Sequence, residues 1–406
     1  MQPAANPRVP FRVSLIVLSL APTFLAVGFL QVIISAWLPT VGFTALQAGF
    51  LISVQGIVAI LTAVPAGILS DVYGRRSLLI SGAFVGTAAF LIIGLDLSFV
   101  PLVVASVLLG YAEGATVGTW NALLADMTDL SARNKVFSLS YVMITIASGV
   151  GLALPGAFPY LEGLLSIGSY AIHRDALVLV AIASGVSPVT ISLLLIGYVE
   201  THNPSRRWGG LRNLRTLAKL GFVGGAIGFG AGFIVPLIGT WFLYRFGVGD
   251  SYSGPLLALS DILIGLAAFA SPRLAAKYGR MNAIMLTTGS SMVFMLAMAF
   301  LPNVFLAGAF YVVRSSLMNM SNPLLDSFSM SIFPPEQRGL VSGLTNTIFR
   351  LPNSVSTYIG GYLLGIRLLE LPFLIASGFY VVGLVGFFFF FIAKGRADAA
   401  TSMGVH

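Results

Sequence analysis

Cysteine is absent from the 406 residues, and histidine occurs only three times. The absence of cysteine excludes a disulfide framework, thiolate catalysis and a cysteine-based metal site. His173, His202 and His406 all fall outside the long apolar runs, and neither a His-Glu-x-x-His nor a Gly-x-x-x-x-Gly-Lys pattern occurs. The groups needed for zinc proteolysis or ATP-driven transport are therefore missing. We expect no enzyme, no catalytic residues, no metal and no cofactor.

Charged residues are also scarce, at 9% of the chain, whereas a soluble protein carries roughly 25%. Hydrophobic residues make up 57%, so the chain cannot cover a water-facing surface. Apolar runs of about 20 residues recur, long enough to cross a ~30 Å hydrocarbon core as helices. The composition predicts a membrane protein whose surroundings are the lipid bilayer. The net charge of +8 lies mostly in short loops and does not indicate a nucleic-acid partner.

The apolar runs predict an all-α membrane protein with twelve transmembrane helices. The predicted spans cover residues 12–38, 46–69, 77–95, 100–125, 137–160, 176–198, 216–243, 252–272, 282–301, 304–332, 340–365 and 372–393. We expect three parts, namely a six-helix bundle over 1–199, a basic linker over 200–215 and a second six-helix bundle over 216–406.

The basic residues of the loops predict the orientation. One side of the twelve spans has seventeen of them, and the other has three, Arg174, Arg245 and Arg367. The larger group comprises Arg8, Arg12, Arg75, Arg76, Arg133, Lys135, Arg206, Arg207, Arg212, Arg215, Lys219, Arg273, Lys277, Arg280, Arg338, Lys394 and Arg396. The positive-inside rule makes that side cytoplasmic, and an even number of spans places both termini there.

An internal repeat joins the two halves of the chain. The tripeptide Tyr73-Gly74-Arg75 recurs as Tyr278-Gly279-Arg280 at an offset of 205 residues, about half the chain length. Other pairs keep the same offset, so chance is a poor explanation. Duplication of a multi-helix unit is how many membrane transporters are built.

The first copy of the repeat, Gly67-x-Leu-x-Asp71-x-x-Gly74-Arg75-Arg76, resembles the signature loop of the major facilitator superfamily. The resemblance covers nearly the whole chain and implies two pseudo-symmetric six-helix bundles. It also implies a secondary active transporter that moves a small solute by rocker-switch alternating access.

The same resemblance implies a cytoplasmic latch between the two halves. Its expected members are Gly67, Asp71, Gly74, Arg75, Arg76, Arg133 and Arg338. Asp126 followed by Arg133 resembles the family's loop after span 4. The alternative reading is that Arg75 and Arg76 only enforce topology.

Five charged residues fall well inside predicted spans, and each costs at least ~2.5–3.5 kcal/mol at the bilayer centre. They are Glu113, Asp261, Arg314, Asp326 and Arg350. Each is therefore a candidate for solute or proton translocation. Glu113 is the expected proton carrier or solute ligand, with a permanent ion pair as the alternative. Arg350 could instead pair with Asp261 or Asp326, and Asp261 could serve helix packing alone.

Uncharged polar residues extend the predicted translocation set along helical stripes. They are Gln31, Gln55, Asn319, Asn322, Asn346 and Asn353. The Asn322-Pro323 pair predicts a kink in span 10, because proline lacks the N–H that continues a helix.

The sequence does not determine which class of solute is transported. We expect proton coupling and a monomer, and the alternatives are efflux of drugs or hydrophobic compounds and uptake of organic anions or sugars. Drug antiporters of the superfamily carry an arginine four residues before a glycine in span 4. Here Ser106 precedes Gly110, which weakens that assignment. A non-transporting receptor and a membrane-embedded enzyme are the other classes.

Overall fold

The computed structural model describes residues 9–198, 214–333 and 338–393. Within these ranges all regular structure is helical, which confirms the predicted all-α class. Short 3-10 and π segments join some of the helices. The α-helices are α1 Phe11–Ser19, α2 Ala21–Val32, α3 Ala45–Tyr73, α4 Arg75–Leu95, α5 Phe99–Asp126, α6 Leu130–Ala153, α7 Phe158–Leu165, α8 Ser169–Ser184, α9 Val186–Leu194, α10 Leu214–Gly232, α11 Ile238–Phe246, α12 Asp250–Tyr278, α13 Arg280–Met298, α14 Val304–Met320, α15 Asn322–Ile332, α16 Arg338–Gly365 and α17 Leu371–Phe387.

Ten helical stretches of the described ranges are long and apolar enough to cross a membrane. The other two predicted spans, 10 and 11, are helical but are not among these long apolar stretches. Span 10 is divided at Ser321 into α14 and α15, which confirms the predicted interruption next to Pro323. Span 11, α16, carries the polar stripe of Asn346, Arg350 and Asn353.

Single glycines join the helices on either side of each repeated motif. Gly74 has φ 95° and ψ 145°, and Gly279 has φ 80° and ψ 148°. Only glycine adopts these angles readily, because a Cβ would clash with the backbone. The gaps that the predicted spans leave at residues 70–76 and 273–281 are therefore too wide, because the helices continue to the residues on either side of each glycine. The matching angles support the repeat at the level of backbone geometry.

The chain divides into two compact units. The first unit consists of Met1–Trp37, Val54–Arg207 and Asp250–Ala258, and the second of Leu38–Ser53, Trp208–Gly249 and Leu259–His406. Each of the long helices α3 and α12 therefore contributes residues to both units. The expected division at residues 199 and 216 follows chain order and stays a prediction. Most of its linker, residues 200–213, lies outside the described ranges.

Close crossings between helix backbones recur at equivalent places in the repeat. In the first unit, a Cβ added at Gly28 of α2 would overlap the carbonyl of Ser148 in α6. In the second unit, a Cβ added at Gly232 of α10 would overlap the carbonyl of Asn353 in α16. Ser148 and Asn353 are 205 residues apart. Because lipid gives helices little hydrophobic reason to associate, small residues that permit this approach stabilise each bundle.

Gly28→Ala should destabilise the first unit because its methyl group has no room between α2 and α6. Overpacking of this kind typically costs about 1–3 kcal/mol. We expect a lower midpoint of thermal unfolding in detergent for Gly28→Ala than for the parent protein.

The matched control is Gly149→Ala on α6, where an added Cβ meets nothing within 4 Å. Alanine is the better helix former by roughly 0.8–1 kcal/mol, so this variant should be as stable as the parent or more stable. Equal unfolding midpoints for the two variants would contradict the close crossing.

Candidate functional site

The crossing of α3 and α5 places Gln55 beside Glu113 in the first unit. Glycines at positions 110 and 114 of α5 admit the backbone of α3, because a Cβ at either would overlap a carbonyl of Gln55 or Ala59. The amide Nε2 of Gln55 consequently lies 3.4 Å from Oε2 of Glu113 and donates to it. The carboxylate is half-buried near the middle of α5. The structure thus brings together two residues that the sequence predicted separately.

The helix that carries Glu113 is also fixed to α6. Trp120, two turns beyond Glu113, is 4% exposed and donates its Nε1–H to Oγ of Ser140 at 2.8 Å. Thr116 returns its hydroxyl to the carbonyl of Ala112. These bonds satisfy the polar groups on the face shared with Glu113 and limit the rotation of α5 within the first unit.

Arg314 in the second unit is bound inside a helix pair. It is 4% exposed, and its Nη2 donates to the hydroxyl of Tyr380 on α17 at 2.6 Å. The phenol of Tyr311 interacts electrostatically with both Arg314 and Asp261. This arrangement joins α14 to α17 and leaves Arg314 little freedom to reach a solute.

The two aspartates of the second unit lie in different surroundings. Asp261 on α12 is half-buried, and Asp326 on α15 is exposed. Neither makes a hydrogen bond or an ion pair with any residue in the described part of the chain. The alternative pairing of Arg350 with either aspartate is therefore absent there. Arg350 itself is half-buried on α16 and has interactions of its own.

Three of the predicted asparagines bond to backbone or to each other. Asn353 donates to the carbonyl of Gly228 at 3.1 Å and so joins α16 to α10. Asn319 donates to the carbonyl of Ser315 at 2.9 Å, and Asn322 donates to Oδ1 of Asn319 at 3.0 Å. The side chains of Asn346 and Gln31 are exposed. The polar set of the second unit thus includes bonds that hold helices as well as the exposed side chain of Asn346.

Arginines of the expected latch bind the end of α5. Arg75 forms an ion pair with Asp126 and also donates to the carbonyl of Ala122 at 3.0 Å. Arg133 donates to the carbonyl of Ala125 at 3.0 Å. Ala125 is among the last four residues of α5, whose carbonyls lack intrahelical partners, and the partial negative charge at this end of a helix favours cations.

Further members of the expected latch lie in helices, and the side chains of only some of them are described. Gly67 lies in α3, and Arg76 is half-buried at the start of α4. Asp71 and Arg338 lie in α3 and α16, but their side chains are outside the described part of the structure. Asp126 was missing from the expected set, although its position shortly before Arg133 in the motif was the available signal.

His173 is the clearest residue that sequence reasoning missed. The predicted start of the sixth span at residue 176 is wrong, because α8 begins at Ser169 and places His173 inside an apolar stretch. Its Nε2 lies 2.8 Å from Oδ2 of Asp250. Both residues are buried, and the ring of His173 stacks on Trp37. Gly168, in the helix N-cap position, was the one local sequence signal of this earlier start.

These features define an all-helical, multi-pass membrane protein built as a repeated bundle with charged groups inside its spans. The family model of the Major Facilitator Superfamily matches residues 16–357. The chain belongs to the major facilitator superfamily, as the repeated loop indicated, and is a transporter of a small solute.

Individual relatives agree on the family and differ in solute. Multidrug resistance protein 2 of Bacillus subtilis is 24% identical over 370 residues, covering 89% of this chain and 90% of that protein. A bacterial homolog of the human lysosomal transporter Spinster matches with a TM-score of 0.74 at 15% identity, covering 94% and 97% of the two chains. The nucleoside transporter NupG matches with a TM-score of 0.74 at 16% identity, covering 95% and 100%. At these identities the solved structures show the fold alone.

Arg75→Gln should destabilise the first unit more than Asp126→Asn, because it also removes the bond to the Ala122 carbonyl. In a double-mutant cycle we expect a coupling energy of about 0.2–1 kcal/mol between Arg75 and Asp126, as for partly exposed pairs. Unfolding midpoints of the parent, both single variants and the double variant in detergent measure this term.

Arg174→Gln provides the matched control, since among the described residues Arg174 pairs only with the adjacent Asp175 and both are exposed. This substitution should change the free energy of unfolding by no more than about 0.5 kcal/mol. Strict additivity of the Arg75 and Asp126 substitutions would contradict the pair.

Proposed function

We propose that the protein is a proton-coupled secondary transporter that exports lipophilic cations or neutral lipophilic compounds. The two halves of the chain would rock against one another in a rocker-switch cycle, with Glu113 as the proton carrier. The observation that carries the proposal is the half-buried carboxylate of Glu113, 3.4 Å from the amide of Gln55 in mid-span.

An amide suits a carboxyl group that gains and loses a proton. The N–H of Gln55 donates to the ionised carboxylate, and its carbonyl oxygen can accept from the protonated acid after a rotation. Glutamine therefore offers a partner in both protonation states, whereas an arginine or lysine would strongly favour the ionised one. A carboxyl group inside a span is a functional candidate by default because its charge is costly there.

The charges of the second unit support a cationic or neutral solute over an anionic one. Arg314 is bound to Tyr380 and is 4% exposed, so one of the two arginines inside the spans is already committed. Asp261 and Asp326 lack an ion-pair partner among the described residues. The Bacillus subtilis relative that aligns over nearly its whole length is named for multidrug resistance. Arg350 would then orient the solute.

The cell membrane is the proposed location, with both termini in the cytoplasm. The positive-inside count supports this orientation. All three basic residues of the less basic side are compensated: Arg174 pairs with Asp175, Arg245 pairs with Glu370 at 3.0 Å, and Arg367 lies 3.8 Å over the ring of Tyr244. We propose a monomer as the working unit, and lipid and protons as the further partners.

Glu113→Gln should abolish transport driven by a proton gradient while sparing exchange of labelled for unlabelled solute. The neutral amide keeps the shape of the side chain and its bond to Gln55 but cannot carry a proton. In proteoliposomes loaded with a fluorescent lipophilic cation, we expect gradient-driven flux to fall at least about tenfold, the equivalent of 1.4 kcal/mol.

Gly149→Ala is the control for reconstitution, because the substitution enters open space away from this site. Unchanged gradient-driven flux in Glu113→Gln would contradict the proton-carrier role. Flux of an organic anion or a sugar, without flux of the cation, would instead favour the alternative solute classes. Binding without any flux would favour a receptor.

A further inference from the structure

The buried pair of His173 and Asp250 lies at the end of the first unit opposite Arg75. His173 is 3% exposed and Asp250 is 6% exposed. The imidazole stacks on Trp37 with ring centroids 4.6 Å apart and planes 1° apart, and it meets the edge of Phe158 at 4.7 Å. Two ionisable groups enclosed by aromatic rings in this way are costly unless they satisfy one another.

The hydrogen bonds of the imidazole determine how many protons the pair holds. Nδ1 lies 2.7 Å from the carbonyl oxygen of Ser169, which can only accept, so Nδ1 carries a hydrogen. Nε2 lies 2.8 Å from Oδ2 of Asp250, and a bond at this distance needs a second proton between them. The pair therefore holds one proton more than a neutral histidine beside an ionised aspartate, and its net charge is zero.

Loss of that proton would leave a lone pair on Nε2 facing a carboxylate in a buried site. The proton would pass to water at this end of the bundle, and the repulsion would open the contact. The stacked ring of Trp37 also favours the protonated imidazole, because the face of an indole attracts a cation.

The titratable residues nearest to the pair along the elements packed around it are Tyr160 and Glu162 on α7, Tyr170, Arg174 and Asp175 on α8, and Tyr252 on α12. The other titratable residues of α12, Asp261, Arg273, Lys277 and Tyr278, lie 11 or more positions beyond Asp250. Among the described residues, none of these bonds to His173 or Asp250, and Arg174 and Asp175 pair with each other.

Asp250 belongs to the segment Asp250–Ala258, which starts α12 and packs with the first unit. A Cβ on Gly254 would overlap the carbonyl of Leu152, and a Cβ on Gly156 would lie 2.5 Å from Pro255. Ser253 in the same segment is 1% exposed. The His173 contact is the only hydrogen bond or ion pair that Asp250 makes among the described residues.

We propose that His173 and Asp250 form a proton-binding site, separate from Glu113, whose occupancy keeps the start of α12 packed on the first unit. When the proton is bound, the segment is held. When it is lost, the segment is released and its buried face becomes accessible from the side that the arginine count makes external. Whether the segment is packed or released thus depends on the pH of that side.

The absence of cysteine allows a direct test, because a single introduced thiol is the only one in the protein. Ser253→Cys is nearly isosteric and places that thiol under the segment. Its reaction with a membrane-impermeant maleimide should be slow at acidic pH, where the pair keeps its proton, and faster at alkaline pH, where the proton is lost. Ser251→Cys, on an exposed position of the same turn, corrects for the intrinsic reactivity of the thiol. If release of the segment is coupled to the loss of one proton, the ratio of released to packed segment changes by at most about tenfold per pH unit.

Two variants in the Ser253→Cys background separate the site from other causes. Asp250→Asn donates to Nε2 of neutral His173 and keeps the contact without a titrating proton, so labelling should be slow at every pH. His173→Ala removes the contact, so labelling should be fast at every pH. Arg174→Gln changes an exposed neighbouring charge and should keep the parent's pH response.

A corrected labelling rate that does not change with pH in the parent would overturn the proposal. So would a parent-like pH response in Asp250→Asn, which remains decisive if His173→Ala fails to fold. The measurement needs no solute, so its outcome is separate from the flux test of Glu113.

Discussion

Close backbone contact between helices is the constraint on which the rest of this structure depends. Lipid does not drive helices together as water does, so the bundles rely on shape and on bonds between polar groups. Gly28 admits Ser148, and glycines 110 and 114 of α5 admit α3. The second crossing places the amide of Gln55 on the carboxylate of Glu113. A packing requirement therefore positions the group with the clearest chemistry.

The helix α5 is held along its length, which gives Glu113 a defined position in the first unit. Arg75 and Arg133 bind its last carbonyls, Trp120 bonds to Ser140, and Gln55 reaches its middle. Bonds to charged groups are roughly twice as strong as those between neutral groups. Residues of the expected latch thus stabilise the same helix that carries the proposed proton site.

Residue type alone did not separate functional charges from structural ones. Arg314 and Arg350 are the same residue in neighbouring spans of the second half, yet Arg314 is enclosed with Tyr380 and Arg350 is half-buried. His173 looked like a loop residue because Arg174 and Asp175 follow it, whereas it is buried with Asp250. Each of these side chains is held by a partner far along the chain, since Tyr380 is 66 residues from Arg314 and Asp250 is 77 residues from His173. No local sequence pattern encodes these contacts.

Composition and apolar runs were enough to predict an all-α membrane protein, because span length is a local property of the chain. The break at Asn322-Pro323 was predictable for the same reason. The superfamily was indicated by the resemblance of the loop from Gly67 to Arg76 to the family's signature. Tertiary structure decided which polar groups meet. The bonds of Glu113 to Gln55, Arg75 to Asp126 and His173 to Asp250 form only where distant helices cross. Those crossings depend on small residues and side-chain volumes in three dimensions, which sequence periodicity does not specify.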